Sequence, residues 1–414
     1  MLKPNKRYND LKDSYLFNTI YRKTNEYLEK NPYKKVFRMG VGDVSLPLCK
    51  VVIDALHNAV DDQAKANTFH GYMPEVGAPE LRKAISEYYK NMGANVKENE
   101  IFVSNGACDD LGDILELFEK DNTVMVIEPA YPEYVDTNIL AGRKVIHVTS
   151  GEENGFLPRP SDDAKADILY ICSPNNPTGA AFSRKGLQEW VDFANEIGAV
   201  ILFDAAYEIF IEDEDVPHSI YEINGADKCA IEICSLSKTA GFTGTRLGYT
   251  VVPHNLSRDG MNLNEMWSRN RETRTNGVSY ILQKGALAVF TPEGQKQIHE
   301  NLSVYKENAS YFMEALDEAG IWYCGGKNSP YIWMKCPDGM SGWEFFDYLL
   351  CEIQVVGIPG DGFGECGKGY FRFSTFGNTQ ETKEAANRLC KLLKRKYRYE
   401  SFVFANEYGT WHFR

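Results

Sequence analysis

The chain has 414 residues, of which 43% are hydrophobic and 25% charged, and its formal net charge is -13. This is the composition of an ordinary soluble globular protein that is long enough for two domains. The acidic balance disfavours nucleic acid and anionic membranes as partners, because both would repel the chain. We therefore expect a protein that acts on small molecules, with no nucleic acid and no membrane as a partner.

The N-terminal residues, the short apolar runs and the scattered cysteines predict a cytoplasmic protein. Residues 1–7 carry positive charge without the apolar core of a signal peptide. No apolar run approaches the roughly 18 to 20 residues needed to span a bilayer. The ten cysteines are scattered, and no second pair or suitably spaced His completes a metal site beside Cys229 and Cys234. We expect reduced thiols and no structural metal.

In chain order, residues 8–33 predict an arm and a helix, followed by a turn-rich stretch at residues 39–43. Short β-rich runs then alternate with amphipathic helical stretches up to about residue 252. The β-rich runs are Ile101–Ser104, Thr123–Ile127, Lys144–Val148, Ile168–Cys172, Val200–Asp204, Ala230–Ser235 and Leu247–Val252. Continuous apolar runs separated by helices predict an α/β domain whose mostly parallel, seven-stranded sheet is covered on both faces.

After Thr291 the pattern changes, and helical segments at 293–320 and 343–352 frame shorter strands. These strands are predicted at Tyr331–Lys335, Val355–Ile358 and Tyr370–Ser374. The pattern indicates a smaller α+β domain. We predict an N-terminal arm with part of the small domain at 1–50, a large domain at 51–290 and a small C-terminal domain at 291–414, whose last residues, from about 394, form a terminal helix and a docked extension.

The most informative motif follows the run that ends at Ser235. A lysine at a strand end in a closed pocket, such as Lys238, can lose its proton and attack an aldehyde. The hydroxyls of Ser235 and Ser237 and the guanidinium of Arg246 could donate hydrogen bonds to a phosphate dianion. The alternative for this segment by itself is a surface lysine in a loop rich in Ser and Thr.

Two further motifs follow the runs that end at Cys172 and Asp204. At the mouth of the sheet, the Asp204 carboxylate could pair with the ring nitrogen of pyridoxal 5′-phosphate (PLP) and keep it protonated. Tyr207 and Asn176 could hydrogen-bond the phenolic oxygen of the same cofactor. The alternatives are an aspartate that caps the next helix and an ordinary Pro/Gly turn.

Two glycine-containing segments complete the set. At Ser104–Asp109 a strand end, a glycine turn and a helix start offer backbone N–H groups that could bind phosphate. The stretch Gly360–Gly364 does not match a dinucleotide fingerprint, because a strand rather than a helix follows it. We interpret it as a flexible loop before a strand in which Arg372 could bind a substrate carboxylate through two N–H···O bonds. An exposed arginine on an edge strand is the alternative.

Together these motifs supply the groups that PLP requires. Their order resembles the fold-type I, class I/II aminotransferases over nearly the whole chain, and within that family the branch that acts on LL-diaminopimelate. The resembling stretches are Ser14–Phe17, Gly40–Val44, Gly71–Glu75, Tyr134–Asn138, Phe203–Glu208, Pro217–Ile223, Gly241–Gly248 and Asn276–Tyr280.

The resemblance implies a role for each cofactor-binding residue. Lys238 would bind PLP covalently, Asp204 would contact the ring nitrogen, and Tyr131 would stack on the ring. The phenolic oxygen would be met by Asn176 and Tyr207. The implied phosphate contacts are Gly106, Ala107, Cys108, Ser235, Ser237 and Arg246. Two more cofactor contacts, Tyr72 and Asn276, would reach in from the partner subunit of a homodimer with shared active sites.

The resemblance also implies a substrate and its contacts. Arg372 and the Gly42 backbone would bind the α-carboxylate, and Asn176 would be a further substrate contact. Tyr15 and Glu75 would help to recognise the remainder. The implied reaction moves an amino group from an amino acid, LL-2,6-diaminopimelate, to a 2-oxo acid, 2-oxoglutarate, as in lysine biosynthesis.

One departure bears on the substrate, because Cys108 stands where the diaminopimelate enzymes carry a lysine that helps to bind it. Its loss weakens the case for a distal carboxylate. The alternatives are an aminotransferase for an aromatic, aliphatic or glutamate-type amino acid, or a PLP-dependent lyase. A PLP-binding regulatory module is disfavoured because the chain is acidic and lacks an N-terminal helix-turn-helix domain. A dinucleotide-dependent oxidoreductase lacks its glycine fingerprint.

Overall fold

A computed structural model describes residues 2–11, 16–161 and 165–394, together with the backbone at 402–403 and 412–413. Its helices are α1 (Leu16–Lys30), α2 (Lys50–Gln63), α3 (Pro79–Asn91), α4 (Ala107–Asp113), α5 (Glu133–Ala141), α6 (Arg184–Ile197), α7 (Leu236–Thr239), α8 (Leu263–Arg274), α9 (Tyr280–Val289), α10 (Pro292–Ala319), α11 (Gly342–Ile353) and α12 (Thr379–Lys394).

The strands divide into those of the first 262 residues and those that follow. The first group is β1 (Phe37–Arg38), β2 (Ile101–Ser104), β3 (Thr123–Ile127), β4 (Lys144–Val148), β5 (Ile168–Cys172), β6 (Val200–Asp204), β7 (Ala230–Ser235), β8 (Gly248–Val251), β9 (Ser257–Arg258) and β10 (Met261–Asn262). The second group is β11 (Tyr323–Gly325), β12 (Tyr331–Lys335), β13 (Val355–Val356), β14 (Ile358–Pro359), β15 (Tyr370–Ser374), β16 (Phe402–Val403) and β17 (His412–Phe413).

The large sheet has seven strands in the order β2-β8-β7-β6-β5-β3-β4. Strand β8 runs antiparallel to both of its neighbours, and the other adjacent pairs are parallel. In the register of the central strands, Asp204 lies opposite Cys172 on one side and Ile233 on the other. The predicted α/β fold is confirmed, and the carboxyl ends of β5, β6 and β7 meet at one edge of the sheet.

Both faces of this sheet are covered by helices. Ile85 and Trp190, on α3 and α6, pack in the cluster on one face, and Ile114 and Trp267 pack in the cluster on the other. Each fully buried side chain of this size contributes roughly 1.5–3 kcal/mol relative to leaving it in water. Burial on two sides is the physical reason that the central strands are continuous apolar runs rather than alternating ones.

A second sheet is antiparallel, with the order β11-β12-β15-β14. In it Trp333 lies opposite Arg372. The short strand β1 pairs in parallel with β13, so Phe37 near the start of the chain lies opposite Val355 near its end. The stretch 355–358, expected as one strand, is divided between β13 and β14, which belong to different sheets. The domain boundaries at residues 50 and 290 stay predictions.

Residues 360–367 differ from the flexible loop expected from the sequence. They form two short 3-10 turns, in which Gly360 and Phe363 are buried. A side chain at Gly360 would collide with the backbone carbonyl of Gly367, so the turns are closely packed against each other. Among the described helices, none combines the length and the apolar character needed to cross a membrane. The predicted terminal helix beyond residue 394 lies outside the described residues.

Candidate active site

A cavity of about 380 Å³ opens at the carboxyl ends of β5, β6 and β7. Its walls include the predicted residues Lys238, Asp204, Tyr207, Asn176, Tyr131 and Arg372. The predicted phosphate contacts Ala107, Cys108, Ser235, Ser237 and Arg246 line the same cavity, as does Gly42. Residues that are far apart in the sequence therefore line one cavity, at the sheet edge where open α/β sheets bind ligands.

The other predicted residues lie elsewhere. Gly106 is directly behind the wall, where an added Cβ would come within 2.7 Å of the Arg246 guanidinium. Tyr72 is 89% exposed and Asn276 is exposed as well. Glu75 is half-buried outside the cavity walls. Tyr15 lies outside the described residues.

Lys238 is positioned by the short helix α7, which starts directly after β7. Its Nζ donates a hydrogen bond to the backbone carbonyl of Gly42. Burial, together with the positive charges of Arg372 and Arg246 and against the opposing effect of Asp43, lowers the pKa of Lys238 to about 8. About a tenth of the amines are thus neutral at pH 7 and about half at pH 8, and the neutral amine is the form that acts as a nucleophile or base.

Asp204 is the last residue of β6, and its buried carboxylate faces the cavity. The carboxylate accepts hydrogen bonds from the Tyr134 hydroxyl and, at 3.0 Å, from the backbone N–H of Ala206. Burial raises the pKa of Asp204, while these two donors act to lower it. A buried carboxylate held by donors and open to a cavity is suited to bind a cationic ring nitrogen.

The side chains near Arg246 form a donor-rich corner. The Arg246 Nη1 donates to the Ser237 hydroxyl at 3.0 Å and to the Thr243 carbonyl at 3.2 Å. Ser235 Oγ accepts from the backbone N–H of Ser237 at 3.1 Å. Arg246 has a φ of +62°, in the left-handed region that non-glycine residues occupy at a cost of about 1 kcal/mol or more. Both of these acceptors are neutral, so the positive charge of the guanidinium is available to bind an anion.

Arg372 lies on β15 and is only 1% exposed. It donates to the Asn176 side-chain oxygen and, at 3.0 Å, to the Gly40 carbonyl. Its Nε has no hydrogen-bond partner among the described residues. The guanidinium is flanked by the rings of Tyr331 at 4.3 Å and Phe363 at 5.1 Å. A buried guanidinium that bonds neutral oxygens can bind a carboxylate in two-point fashion.

Two tyrosines of the cavity were not predicted as site residues. Tyr134 lies on α5, three residues after Tyr131, which precedes the helix, and the two rings meet edge to face with 5.7 Å between centroids. The short spacing from a predicted site residue is the signal that could have identified it. Tyr331 places its hydroxyl 2.8 Å from the Tyr207 hydroxyl. Its role depends on how β12 packs over the cavity, which no local pattern reveals.

A lysine of lowered pKa, a buried acid and a buried guanidinium in one cavity are suited to covalent chemistry on a carboxylate-bearing substrate. The model of the family "Aminotransferase class I and II" matches residues 34–389. The chain belongs to this family, and it is an aminotransferase.

Similar proteins cover nearly the whole chain. An LL-diaminopimelate aminotransferase of Agathobacter rectalis is 48% identical over 402 residues, which are 94% of this chain and 99% of that protein. Another, of Lawsonia intracellularis, is 46% identical over 410 residues, which are 95% of this chain and 100% of that protein. The structure of the L,L-diaminopimelate aminotransferase from Chlamydomonas reinhardtii superposes with a TM-score of 0.90 at 38% identity. The match covers 95% of this chain and 99% of that one. The predicted family is confirmed.

A more distant structure supports the fold alone. A Thermus thermophilus aspartate aminotransferase superposes with a TM-score of 0.82 at 21% identity, covering 95% of this chain and 100% of that one. The architecture is therefore shared by enzymes whose sequences have diverged widely.

Proposed function

We propose that this aminotransferase uses PLP to move the amino group of LL-2,6-diaminopimelate to a 2-oxo acid, 2-oxoglutarate. The observation that carries the proposal is that Lys238, Asp204 and Arg372 line one cavity. The relatives named LL-diaminopimelate aminotransferase, which are 46–48% identical over nearly the whole chain, favour this substrate. The substrates are thus small amino and oxo acids, and the cytoplasm stays the predicted location.

The residues of the cavity fit PLP. The Lys238 amine suits the cofactor aldehyde, the Asp204 carboxylate suits the ring nitrogen, and the Tyr207 hydroxyl suits the phenolic oxygen. Ser235, Ser237 and Arg246, with the backbone around Ala107 and Cys108, would hold the phosphate. Tyr131 would cover the ring, and Asn176 would assist at the phenolic oxygen. When bound, PLP supplies an electron sink that stabilises negative charge at the substrate Cα.

The chain's own groups then have separate tasks. Arg372, with Asn176 and the Gly42 backbone, would bind the α-carboxylate and fix the orientation of the Cα–H bond. Neutral Lys238 would accept the proton that leaves Cα, and its pKa of about 8 suits this role near neutral pH. Asp204 would stay ionised to hold the ring nitrogen. Burial of these groups excludes water and strengthens each electrostatic interaction.

Recognition of the distal end of the substrate is assigned to Tyr15 and Glu75, and a partner subunit would complete the site. Tyr72 and Asn276 are exposed and do not line the cavity of their own chain. This supports a homodimer in which both residues reach into the other subunit's cavity. Exposed aromatic side chains of this kind are typical of subunit interfaces.

A second candidate is an aminotransferase for a monocarboxylic amino acid, and the feature that favours it is Cys108. This side chain lines the cavity, and a thiol offers no cation to a distal carboxylate. A PLP-dependent lyase is a further alternative.

A donor panel separates these functions. Purified enzyme with PLP and 2-oxoglutarate would be offered LL-diaminopimelate, glutamate, and aromatic and aliphatic amino acids, and glutamate or 2-oxo acid formation would be measured. We expect turnover with LL-diaminopimelate that requires the acceptor. Activity only with monocarboxylic donors would remove the diaminopimelate assignment, and product formed without an acceptor would indicate a lyase.

A further inference from the structure

Three buried polar side chains lie behind the cavity wall rather than in it. Ser104 ends β2, Asp110 lies on α4 and Arg271 lies on α8, and all three are at most 5% exposed. The Ser104 hydroxyl donates to the Asp110 carboxylate at 2.5 Å and accepts from the backbone N–H of Gly106 at 3.2 Å. Arg271 Nη1 lies 3.8 Å from the other Asp110 oxygen. A continuous set of polar contacts therefore joins α8 to the backbone of Gly106.

Gly106 occupies a narrow space. Its φ of +132° is one that side-chain-bearing residues rarely adopt, and an added Cβ would come within 2.7 Å of the Arg246 guanidinium. On the other side, a Cβ on Gly248 of β8 would come within 2.9 Å of the Gly106 Cα. A displacement of the Gly106 backbone by a few tenths of an ångström would therefore change the gap between it and Arg246.

The Asp110–Arg271 pair is buried, and some of its polar atoms lack hydrogen-bond partners among the described residues. Asp110 is fully buried, and its Oδ1 has no hydrogen-bond partner among the described residues; the same holds for Arg271 Nε. Buried charges with unsatisfied atoms are more costly than apolar side chains of similar size. Arg271 is nevertheless held firmly, because its Nη2 donates to Asp113 at 2.6 Å and its guanidinium lies 4.1 Å from the Trp267 ring. Such a pair fixes a local geometry.

We propose that Ser104, Asp110 and Arg271 are positioning residues that hold the Gly106 backbone opposite Arg246 and thereby set the affinity of the cavity for the cofactor phosphate. The inference rests on the proposed binding of PLP. It goes beyond that proposal because none of the three side chains lines the cavity. Their effect is confined to the phosphate end, since the ring-binding residues Asp204 and Tyr207 are held by other partners.

The test compares PLP with pyridoxal, which has the aldehyde and the ring but no phosphate. Apoenzyme would be titrated with each compound, and the dissociation constants read from visible absorbance and protein fluorescence. Ser104→Ala removes both bonds of the hydroxyl. We expect its dissociation constant for PLP to rise about tenfold, as for the loss of one or two hydrogen bonds, while that for pyridoxal stays within about twofold of wild type.

Two control variants distinguish a specific loss of PLP affinity from a general loss of structure. Ser104→Thr keeps the hydroxyl and should restore PLP affinity. Ser341→Ala removes a comparable hydroxyl at the start of α11, where it accepts from the Glu344 N–H at 3.2 Å, and should leave both dissociation constants unchanged. If Ser104→Ala does not fold, Asp110→Asn provides the same comparison, because it weakens the acceptor for Ser104 while keeping the side-chain shape.

The outcomes are distinct. Equal weakening of PLP and pyridoxal binding, or no weakening of either, would overturn the positioning role while leaving PLP binding intact. A wild-type apoenzyme that binds neither compound would overturn the proposed function itself. Selective loss of PLP affinity, restored by threonine, would support the inference.

Discussion

The hydroxyl of Tyr134 donates a hydrogen bond to the carboxylate of Asp204, and both side chains are buried at the floor of the cavity. The ring of Tyr134 stacks on Tyr170 with 4.8 Å between centroids and 22° between planes. Tyr170 is fixed in turn by the Asn138 amide, which donates to its hydroxyl at 3.2 Å. The ring stack holds the donor to Asp204 in place, and this donor stabilises the ionised carboxylate against the cost of burial.

Tyr134→Phe should raise the pKa of Asp204, because the donor that favours its charged form is removed while burial remains. Since the proposed chemistry needs ionised Asp204, the acidic limb of the kcat–pH profile should move to higher pH. We expect kcat at pH 7 to fall about tenfold, corresponding to about 1.4 kcal/mol. The measurement is kcat and KM across pH 5.5–9.

Tyr170→Phe is the matched control, since it removes a hydroxyl from the same stack without touching Asp204. Its pH profile should coincide with that of wild type. Identical profiles for both variants would show that the Tyr134 hydroxyl has no influence on Asp204.

The pKa of Lys238 predicts how the apoenzyme captures PLP. Because burial lowers this pKa to about 8 from 10.5, the neutral amine should accumulate as pH rises through 8 rather than through 10.5. The rate of PLP capture, followed by absorbance after mixing, should rise to half its plateau near pH 8. Lys238→Ala should lose the visible absorbance of lysine-bound PLP and at least about a thousandfold in turnover. Full activity of that variant would refute the assignment of the lysine.

Arg372→Lys should weaken binding of the substrate carboxylate, because a point charge replaces two parallel donors in a buried site. We expect kcat/KM to fall about a hundredfold or more, since losing a buried charged hydrogen bond costs about 2–5 kcal/mol. Arg143→Lys is the control: this arginine is also buried, but it donates to backbone carbonyls away from the cavity. If kcat/KM fell by a comparable factor in both variants, the cause would be impaired folding rather than weaker binding of the carboxylate.

The buried carboxyl of Glu232 predicts a pH dependence of stability. Burial raises its pKa from 4.5 to about 7, against hydrogen bonds from Tyr89, Ser219 and the Ile220 N–H. The folded state therefore holds the proton more tightly than the unfolded state, and stability falls as pH rises from about 4.5 to 7, by roughly 3 kcal/mol in total. Glu232→Gln should flatten this slope, as measured by urea denaturation between pH 5 and 8.

The surface ion pair of Glu384 and Arg388 offers a control for that measurement. The Glu384 side chain is 49% exposed, and surface ion pairs contribute little to stability, so the slope of stability against pH for Glu384→Gln should match that of wild type. A Glu232→Gln slope equal to that of Glu384→Gln would mean that Glu232 keeps an ordinary pKa in the folded protein.

Sharing of active sites between subunits can be tested by mixing two inactive variants. Tyr72→Ala and Lys238→Ala would be unfolded together and refolded as mixed dimers. If Tyr72 acts across the interface, each heterodimer contains one intact site, and random mixing should restore about a quarter of wild-type activity. If Tyr72 acts within its own chain, each heterodimer has no intact site and the mixture should remain inactive.

The sequence alone determined the local parts of this protein. Continuous apolar runs located β3, β5, β6 and β7 at their observed bounds, because strands buried on both faces are built mainly from apolar residues. The reactive groups were predicted because Asp204 and Lys238 come at or just after strand ends, where an α/β sheet opens to ligands. Turn residues and strand ends are properties of a few neighbouring residues.

Only the tertiary structure decided the relations between distant segments. The direction of β8, the pairing of Phe37 with Val355, the bond from Arg372 to Asn176 and the contact of Tyr134 with Asp204 all join segments far apart in the chain. Periodicity states which face of an element is buried, but not which element buries it. That choice depends on how all of the apolar surfaces pack together at once, which no local pattern encodes.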